Sequence, residues 1–353
     1  MTFKKLNAVS PLSPLCLLSL TLIALALTAC GGAESHPAPV KPVSDKQGLR
    51  DIPVLEKQYT TATDELGDAV VYEGDFFERA NVTPWSGYWY PIKFKDLFEG
   101  QSGKLSPLQK YDLFTSKAHR ITTKAADYER NNIYNPDAAP SDGHCNAWAT
   151  ASIVEKEPMF PVEPVPGLVF SVADQKALLI KSYEFSQGAR YYGVPNNGDR
   201  HADYQDLYPH QFHRVLQYEL FENQRALVMD HDAGTQIWNT PIYKAQIVIK
   251  KDASDPHLFH VKAGIQTKPS LDIDELEVMN KTAVLYDYTY DLYGEPRMDG
   301  GIDVKFGVWT GNSADFHPDF LTTLRDPKAI KPVTQNSELK LEYVREILSG
   351  RRF

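Results

Sequence analysis

The chain has 353 residues, of which 42% are hydrophobic and 11% aromatic, and its formal net charge is −9. This composition is typical of a globular protein with a sizeable core and excludes an intrinsically disordered chain. Because the charge is acidic and no basic stretch is interleaved with aromatic residues, we expect no nucleic acid among its partners.

The first thirty residues have the layout of a secretory signal. Two lysines precede an apolar run from Leu15 to Leu27, which is too short to span a bilayer. The run ends in "LTAC", which resembles the lipobox of bacterial lipoproteins. We therefore expect residues 1–29 to be a lipoprotein signal peptide and Cys30 to carry a lipid that anchors the protein in the bacterial cell envelope. Gly31 after the cysteine favours the outer membrane; an ordinary signal peptide or a membrane anchor is the alternative.

The rest of the chain divides by composition. Residues 30–64 are rich in proline and polar residues, which predicts a lipidated N-terminus followed by a flexible tether. Residues 65–330 have the patterning of one folded domain. The tail, 331–353, contains "NSELKLEYVREILSG", which has a helical pattern.

Helical patterns dominate the first part of the folded region. In "LSPLQKYDLF", Ser106 is suited to cap a helix and Pro107 to occupy its first position. The stretches "HCNAWATASIVEK" and "SVADQKALLIKSYEFSQ" place apolar residues three and four positions apart, which predicts two further helices.

After His213 the pattern changes to that of strands. Turn residues separate the predicted strands, which are "RVLQYELF", "RALVMD", "YKAQIVIKK", "HLFHVKAGIQT", "AVLYDYTYDLY" and "IDVKFGVW". Helices followed by a run of antiparallel strands indicate an α+β fold.

Cys145 is the residue most suggestive of chemistry. It is the only cysteine beyond residue 30, so it has no disulfide partner in the mature chain. Small and polar residues precede it and a helical pattern follows, which predicts a position at a helix N-terminus, where the helix dipole favours a thiolate. A buried structural cysteine is the alternative. His144 adjoins it, but neighbours on a helix do not face each other, so His144 is interpreted as a local polar group.

A cysteine nucleophile needs a histidine to take its proton and a polar side chain to orient that histidine. His213 precedes the predicted strand "RVLQYELF", and Asp230 ends the next predicted strand, "RALVMD". A hairpin of these two strands would bring the side chains together. Asp232 and Asn239 are alternatives for the third member.

Seven stretches in order resemble the transglutaminase elicitor family, which includes plant-pathogen glycoproteins and bacterial envelope proteins. They are "WSGYWYPI", "LSPLQKYDLF", "GHCNAWATASI", "FSVADQKALL", "YPHQFHRVL", "VMDHDAGTQIWNTPIYKAQ" and "GVWTGNSADFHPDFL". The resemblance implies a papain-like or transglutaminase-like core, with a helical half that carries Cys145 and an antiparallel half that carries His213 and Asp230. By motif, these three would be nucleophile, base and acid.

The implied activity is that of a protein-glutamine γ-glutamyltransferase. Cys145 would form a thioester with the glutamine side chain of a protein or peptide donor, and an amine acceptor would resolve it; water as acceptor would give deamidation. A cysteine peptidase or amidase on the same scaffold is one alternative, and a catalytically vestigial envelope binding protein is another. Trp89 and Trp148 would shape the cleft or assist the oxyanion hole.

The expected reaction needs no organic cofactor. The acidic stretches lack the spacing of a calcium-binding loop, and the histidines and cysteines lack that of a zinc site, so no metal ligands are assigned. Calcium dependence is left open, because some transglutaminases require calcium.

Overall fold

A computed structural model describes residues 65–193, 207–231, 234, 236–277 and 281–353. They form a mixed fold of helices and a strongly curled antiparallel sheet, in agreement with the predicted α+β class. The predicted signal peptide, the lipid-bearing Cys30, the tether and Asp232 lie outside the described residues. Within those residues, no helix is both long and apolar enough to cross a membrane.

The described residues contain six α-helices. They are α1 (Pro107–Phe114), α2 (Ala125–Asn132), α3 (Cys145–Val154), α4 (Val172–Ser182), α5 (Pro209–Val215) and α6 (Leu341–Leu348). The start of α1 confirms the predicted pattern: Ser106 and Gln109 form a reciprocal capping box, and Pro107 occupies the first helical position. A second capping box, between Ser171 and Asp174, begins α4.

Eleven strands lie in the same ranges. They are β1 (Val70–Val71), β2 (Gly74–Arg79), β3 (Val162–Val165), β4 (Leu168–Phe170), β5 (Arg190–Gly193), β6 (Leu227–Asp230), β7 (Asn239–Lys251), β8 (Leu258–Thr267), β9 (Val284–Pro296), β10 (Ile302–Trp309) and β11 (Phe320–Thr323). The five predicted strands that follow residue 224 are confirmed as β6 to β10. The short strands β1, β2 and β5 in the first half have no counterpart among the predictions.

One antiparallel sheet contains all of these strands except β3 and β4, which form a separate hairpin. The order across the sheet is β1-β10-β9-β8-β7-β6-β11-β5, and β2 pairs with the later part of β7. Asp230 at the end of β6 is directly opposite Asn239 at the start of β7. This register brings two of the candidate residues side by side.

The sheet curls so strongly that β9 reaches β6 across the two strands between them. The hydroxyl of Tyr288 in β9 donates to the carbonyl of His231, just after β6, at 2.9 Å. Inside the curl, Phe212 of α5 packs against Tyr290 and Trp309. Helix α5 contacts β9 and β10, whereas α3 contacts β6 and β7. The two helices therefore rest on different parts of the sheet.

The segment "RVLQYELF" is helical, which corrects the predicted strand. Helix α5 starts at Pro209 and continues into a π-helical segment, Leu216–Glu222. Phe212, Leu216 and Leu220 are fully buried at four-residue spacing. A short apolar run satisfies both strand and helix periodicity, so the alternation was ambiguous. Proline at the first helical position favours the helix.

The C-terminal tail contains the predicted helix, α6. Its residues Val344 and Ile347 are completely buried and belong to the main hydrophobic core. The helix contacts α4 and β3. The tail therefore closes the fold that the preceding residues build.

Candidate active site

Cys145 begins helix α3, as predicted. The residue before it, His144, is held by a hydrogen bond from its backbone N–H to the carbonyl of Trp89. A Cβ atom on Gly143 would lie 2.8 Å from that same carbonyl oxygen, so only glycine fits there without a shift. This close approach fixes the start of the helix against the segment that contains Trp89.

The sulfur of Cys145 is surrounded by residues that lie far away in sequence. It is a free thiol in a side chain that is only 6% exposed. The thiol donates to the carbonyl of Ile237, with 3.7 Å between Sγ and the oxygen. The side-chain amide of Asn239 donates to the sulfur, with Nδ2 at 3.8 Å. The connection before β7 thus supplies an acceptor to the nucleophile candidate, and the first residue of β7 supplies a donor.

These neighbours set the ionisation of the thiol. Burial raises the pKa of Cys145, the backbone and side-chain N–H groups of Asn239 lower it, and the charge of Asp230 raises it. The backbone N–H of Asn146 lowers the pKa as well, but the result is above the ordinary value. The sulfur therefore rests as a thiol at neutral pH, and attack on a carbonyl requires a base.

A cavity of about 200 Å³ opens beside the sulfur. Its walls include Trp89 and Trp148, together with His231, Trp238, Asn239, Thr240, Thr267, Lys268, Pro269, Ser270, Val284 and Tyr286. The indole N–H of Trp89 donates to the carbonyl of Pro140, and that of Trp148 donates to the carbonyl of Trp85. Both indoles therefore serve as walls, and the polar groups bonded to the sulfur are the Ile237 carbonyl and the side-chain amide of Asn239.

Asp230 is completely buried at the end of β6. Its Oδ1 accepts the backbone N–H of Trp238 at 2.8 Å, which closes the connection between β6 and β7. The carboxylate lies close enough to the sulfur of Cys145 to raise the pKa of the thiol. The structure thus places Asp230 near the nucleophile candidate.

His213 does not form the predicted hairpin with Asp230. It lies inside α5, where its Nδ1 is 2.9 Å from the hydroxyl of Tyr290 on β9. Burial, aided by the charge of Arg214, lowers the pKa of His213 to about 4. The partners of β6 are β7 and β11. The error followed from interpreting the helical segment after His213 as a strand.

His231 is the histidine that lines the cavity with Cys145. It directly follows Asp230, stacks on Tyr286 with 4.8 Å between ring centroids, and has Nδ1 2.9 Å from the carbonyl of Trp238. A carbonyl oxygen can only accept, so Nδ1 carries a proton and Nε2 is the basic atom of the neutral ring. In the sequence, the feature that could have indicated His231 as a site residue is its position directly after Asp230, at the end of the predicted strand.

Asn239 is brought to the sulfur, whereas Asp232 lies outside the described residues. No cluster of three or more histidine, cysteine, aspartate or glutamate side chains in the described ranges is arranged to hold a metal ion. The site therefore consists of a thiol, an amide, a carboxylate and an imidazole around one apolar cavity.

Comparison with known proteins agrees with the sequence resemblance. Residues 138–269, which include Cys145, Asp230 and Asn239, match the family model described as transglutaminase elicitor. The fold is similar to the crystal structure of the GP42 transglutaminase from Phytophthora sojae, with a TM-score of 0.60 and 19% sequence identity over 81% of this chain and 95% of that chain. A search of curated proteins gives no match.

Proposed function

We propose that this chain is a cysteine acyltransferase that acts on protein-bound glutamine, and the match of residues 138–269 to the transglutaminase elicitor model supports the proposal. The observation that carries the proposal is the contact between Asn239 and Cys145. An amide side chain and two backbone N–H groups converge on one sulfur at the start of a helix, as a thiolate and an oxyanion require.

The proposed reaction starts with transfer of the thiol proton of Cys145 to a histidine. The sulfur then forms a bond to the carbonyl carbon (Cδ) of the glutamine carboxamide, and the N–H groups around it stabilise the negative charge on oxygen. When the tetrahedral intermediate collapses, the C–N bond breaks and the departing nitrogen takes the proton, which releases ammonia. A primary amine attacks the resulting thioester and restores the thiol; water in its place gives deamidation.

Two histidines compete for the role of base. The sequence favoured His213, but its low pKa and its contact with the hydroxyl of Tyr290 on β9 make it a weak base at neutral pH. His231 lines the cavity and has Nε2 as its basic atom, so we assign the base to His231. With Cys145 on a helix and His231 and Asn239 at facing strand ends, this arrangement is papain-like.

Asp230 then acts through the connection that holds His231 and Trp238. Its carboxylate fixes the Trp238 N–H, and the Trp238 carbonyl fixes the imidazole. The proposed chemistry needs no organic cofactor, and calcium dependence is left to a direct test with a chelator. The glutamine donor is a protein or peptide and the acceptor is an amine, as in the sequence-based hypothesis.

A vestigial binding protein is the second candidate, and one observation favours it. The thiol is 6% exposed and already donates to the Ile237 carbonyl, so the resting site is nearly closed. A cysteine peptidase would share the same nucleophile. The acyltransferase breaks the C–N bond of a glutamine side chain, the peptidase breaks a peptide bond, and the vestigial protein breaks no bond.

The experiment uses the full chain with a glutamine-bearing protein and a labelled primary amine, and it measures amine incorporation, ammonia release and peptide cleavage together. Incorporation that is lost in Cys145→Ala supports the acyltransferase. Cleavage without incorporation indicates a peptidase. If the protein is folded and its Cys145 still reacts with iodoacetamide, but neither incorporation nor cleavage is found, the result indicates the vestigial protein.

Attachment to the cell envelope through a lipid on Cys30 is also a proposal, supported by the "LTAC" stretch. Cys30→Ser should release the protein from the membrane fraction and leave the activity of Cys145 unchanged, because a tether of about 30 residues reaches far enough to uncouple the two. A variant that still sediments with membranes would contradict the lipid anchor.

A further inference from the structure

Four titratable side chains form a buried cluster behind the start of α3. They are His144, Lys181, Glu184 and Glu129, and each side chain is at most 6% exposed. The ammonium of Lys181 binds both carboxylates, that of Glu129 at 2.6 Å and that of Glu184 at 2.5 Å. The acyl-transfer steps proposed for Cys145 use none of these groups.

His144 sits at the N-cap position of α3, but its side chain does not cap the helix. Its Nδ1 is 2.8 Å from the carbonyl oxygen of Tyr90, and its Nε2 is 2.8 Å from Oε1 of Glu184. Its backbone N–H donates to the Trp89 carbonyl, and its own carbonyl accepts the N–H of Trp148. One residue thus connects the cavity wall, the nucleophile helix and the charged cluster.

The partners of the ring constrain its protonation. The carbonyl oxygen of Tyr90 can only accept, so Nδ1 of His144 donates. Nε2 lies 2.8 Å from Oε1 of Glu184 and 3.1 Å from Nζ of Lys181. Hydrogen bonds and charges from His144 and Lys181 overcome the effect of burial and lower the pKa of Glu184 to about 2, so a protonated Nε2 would donate to this nearer carboxylate. With Nε2 protonated, the cluster would hold two cations and two anions.

The other side of the cluster is completed by the C-terminal segment. Oε2 of Glu184 accepts from the hydroxyl of Thr334 at 2.7 Å and from the backbone N–H of Gln335 at 2.8 Å. Asn336, which is completely buried, donates from Nδ2 to Glu129 at 3.0 Å. These bonds fix the two carboxylates of the cluster, of which Glu184 contacts His144, so the tail helps to hold the start of α3.

Backbone strain also points to this contact. Tyr90, whose carbonyl accepts from His144, is buried and has φ +42°, in the left-handed region that few residues other than glycine adopt. The conformation persists because the carbonyls of Trp89 and Tyr90 both accept hydrogen bonds from His144. The backbone of Gly143 also lies against Trp89, so this segment is held in place.

We infer that His144 is a positioning residue for the proposed acyltransferase: as an imidazolium held by Glu184, it fixes the start of α3 against the Trp89 wall and places a positive charge one residue from Cys145. That charge favours the thiolate, against the opposing effects of burial and of Asp230. The inference rests on the proposed function for its purpose, but its test measures the reactivity of the thiol and needs no glutamine substrate.

The test is the pH profile of iodoacetamide alkylation, followed at Cys145 by peptide mass spectrometry on the full chain. His144→Gln leaves the cluster with a net negative charge. The profile should therefore move to higher pH by about one unit, with about tenfold slower alkylation at neutral pH. In the double variant His144→Gln with Glu184→Gln, Lys181 and Glu129 remain as one cation and one anion, so the cluster is neutral again. The two glutamine side chains can pair with each other, and the alkylation profile should return toward that of the wild type.

Glu157→Gln is the matched control. Glu157 pairs with Lys176, another fully buried lysine of α4, but touches no member of the His144 cluster. The Glu157→Gln variant should lower the melting temperature without shifting the pH profile of alkylation. A His144→Gln profile that coincides with the wild type overturns the inference, and so does a double variant that stays as slow as the single one, since that result indicates loss of structure alone.

A second measurement covers the case in which His144→Gln does not fold. In ¹⁵N-labelled wild-type protein, both ring nitrogens of His144 should be protonated at pH 7, as shown by their imidazole shifts. A neutral His144 ring at that pH overturns the inference, whatever the activity of the enzyme. If alkylation and ring state agree with the inference but no acyl transfer is found, the proposed function fails and the positioning of the thiol stands.

Discussion

The side-chain amide of Asn239 donates to the sulfur of Cys145, with 3.8 Å between Nδ2 and Sγ, although 94 residues separate them. The contact exists because α3 rests on β6 and β7 where β7 begins. It gives the thiol a fixed neighbour that can stabilise either a thiolate or an adjacent oxyanion.

Asn239→Ala should therefore slow acyl transfer by roughly 10- to 100-fold, since loss of one such donor removes stabilisation that is strongest in the transition state. Single-turnover formation of the thioester is the measurement. Thr240→Ala is the matched control, because Thr240 is equally buried and bonds through its hydroxyl to the Lys268 carbonyl. Equal losses in the two variants would contradict a specific role for Asn239.

Asp230→Asn should have two separable effects. The amide can still accept the Trp238 N–H, but it removes a negative charge that raises the pKa of Cys145. Iodoacetamide alkylation should therefore shift to lower pH, while amine incorporation falls because the connection that holds His231 is less firmly fixed. An alkylation profile that moves to higher pH would show that the charge of Asp230 does not act on the sulfur.

The two histidines provide the sharpest test of the base. His231→Gln should reduce turnover by about 10²- to 10⁴-fold, as expected for loss of a general base, with little change in the melting temperature. His213→Gln should leave turnover near the wild-type value, because His213 lies in α5 against the hydroxyl of Tyr290 on β9. The reverse pattern would return the base to His213, as the sequence alone suggested.

Local patterns were sufficient for several parts of the site. The helix start at Cys145 follows from small residues before an apolar helical run, and the strand end at Asp230 follows from alternation and turn residues. The start of β7 at Asn239 does not, because the predicted strand begins only at Tyr243. Alternation failed at His213, where a run of about eight residues fits a helix equally well.

The remaining features depend on distances that periodicity does not encode. The curl that brings Tyr288 to the His231 carbonyl, and the register that sets Asp230 opposite Asn239, depend on pairing between strands. The His144 cluster joins parts of the chain that are far apart, including the tail that carries Asn336. A histidine next to a cysteine is interpretable from sequence as a local polar group, but its partners are not.

The last prediction concerns stability and pH. His213 is buried as a neutral ring with a pKa of about 4 in the folded protein, against an ordinary value of 6.5. Above about pH 6.5 the ring is neutral in both states, so the folded protein keeps its full stability. As the pH falls from 6.5 to 4, the unfolded chain takes up a proton that the folded chain does not, and the free energy of unfolding falls by up to about 3 kcal/mol.

In the His213→Gln variant, the free energy of unfolding should fall less between pH 7 and pH 5 than in the wild type, as measured by urea unfolding. His260 provides a contrast of opposite sign, because the neighbouring Asp291 raises its pKa. Its contribution to stability is therefore present at low pH and lost as the pH rises, so His260→Gln should weaken the fold more at pH 5 than at pH 7, by a small amount at this exposed site. If His213→Gln unfolds with the same pH dependence as the wild type, His213 is not buried as a neutral ring, and the reason for excluding it as the base is removed.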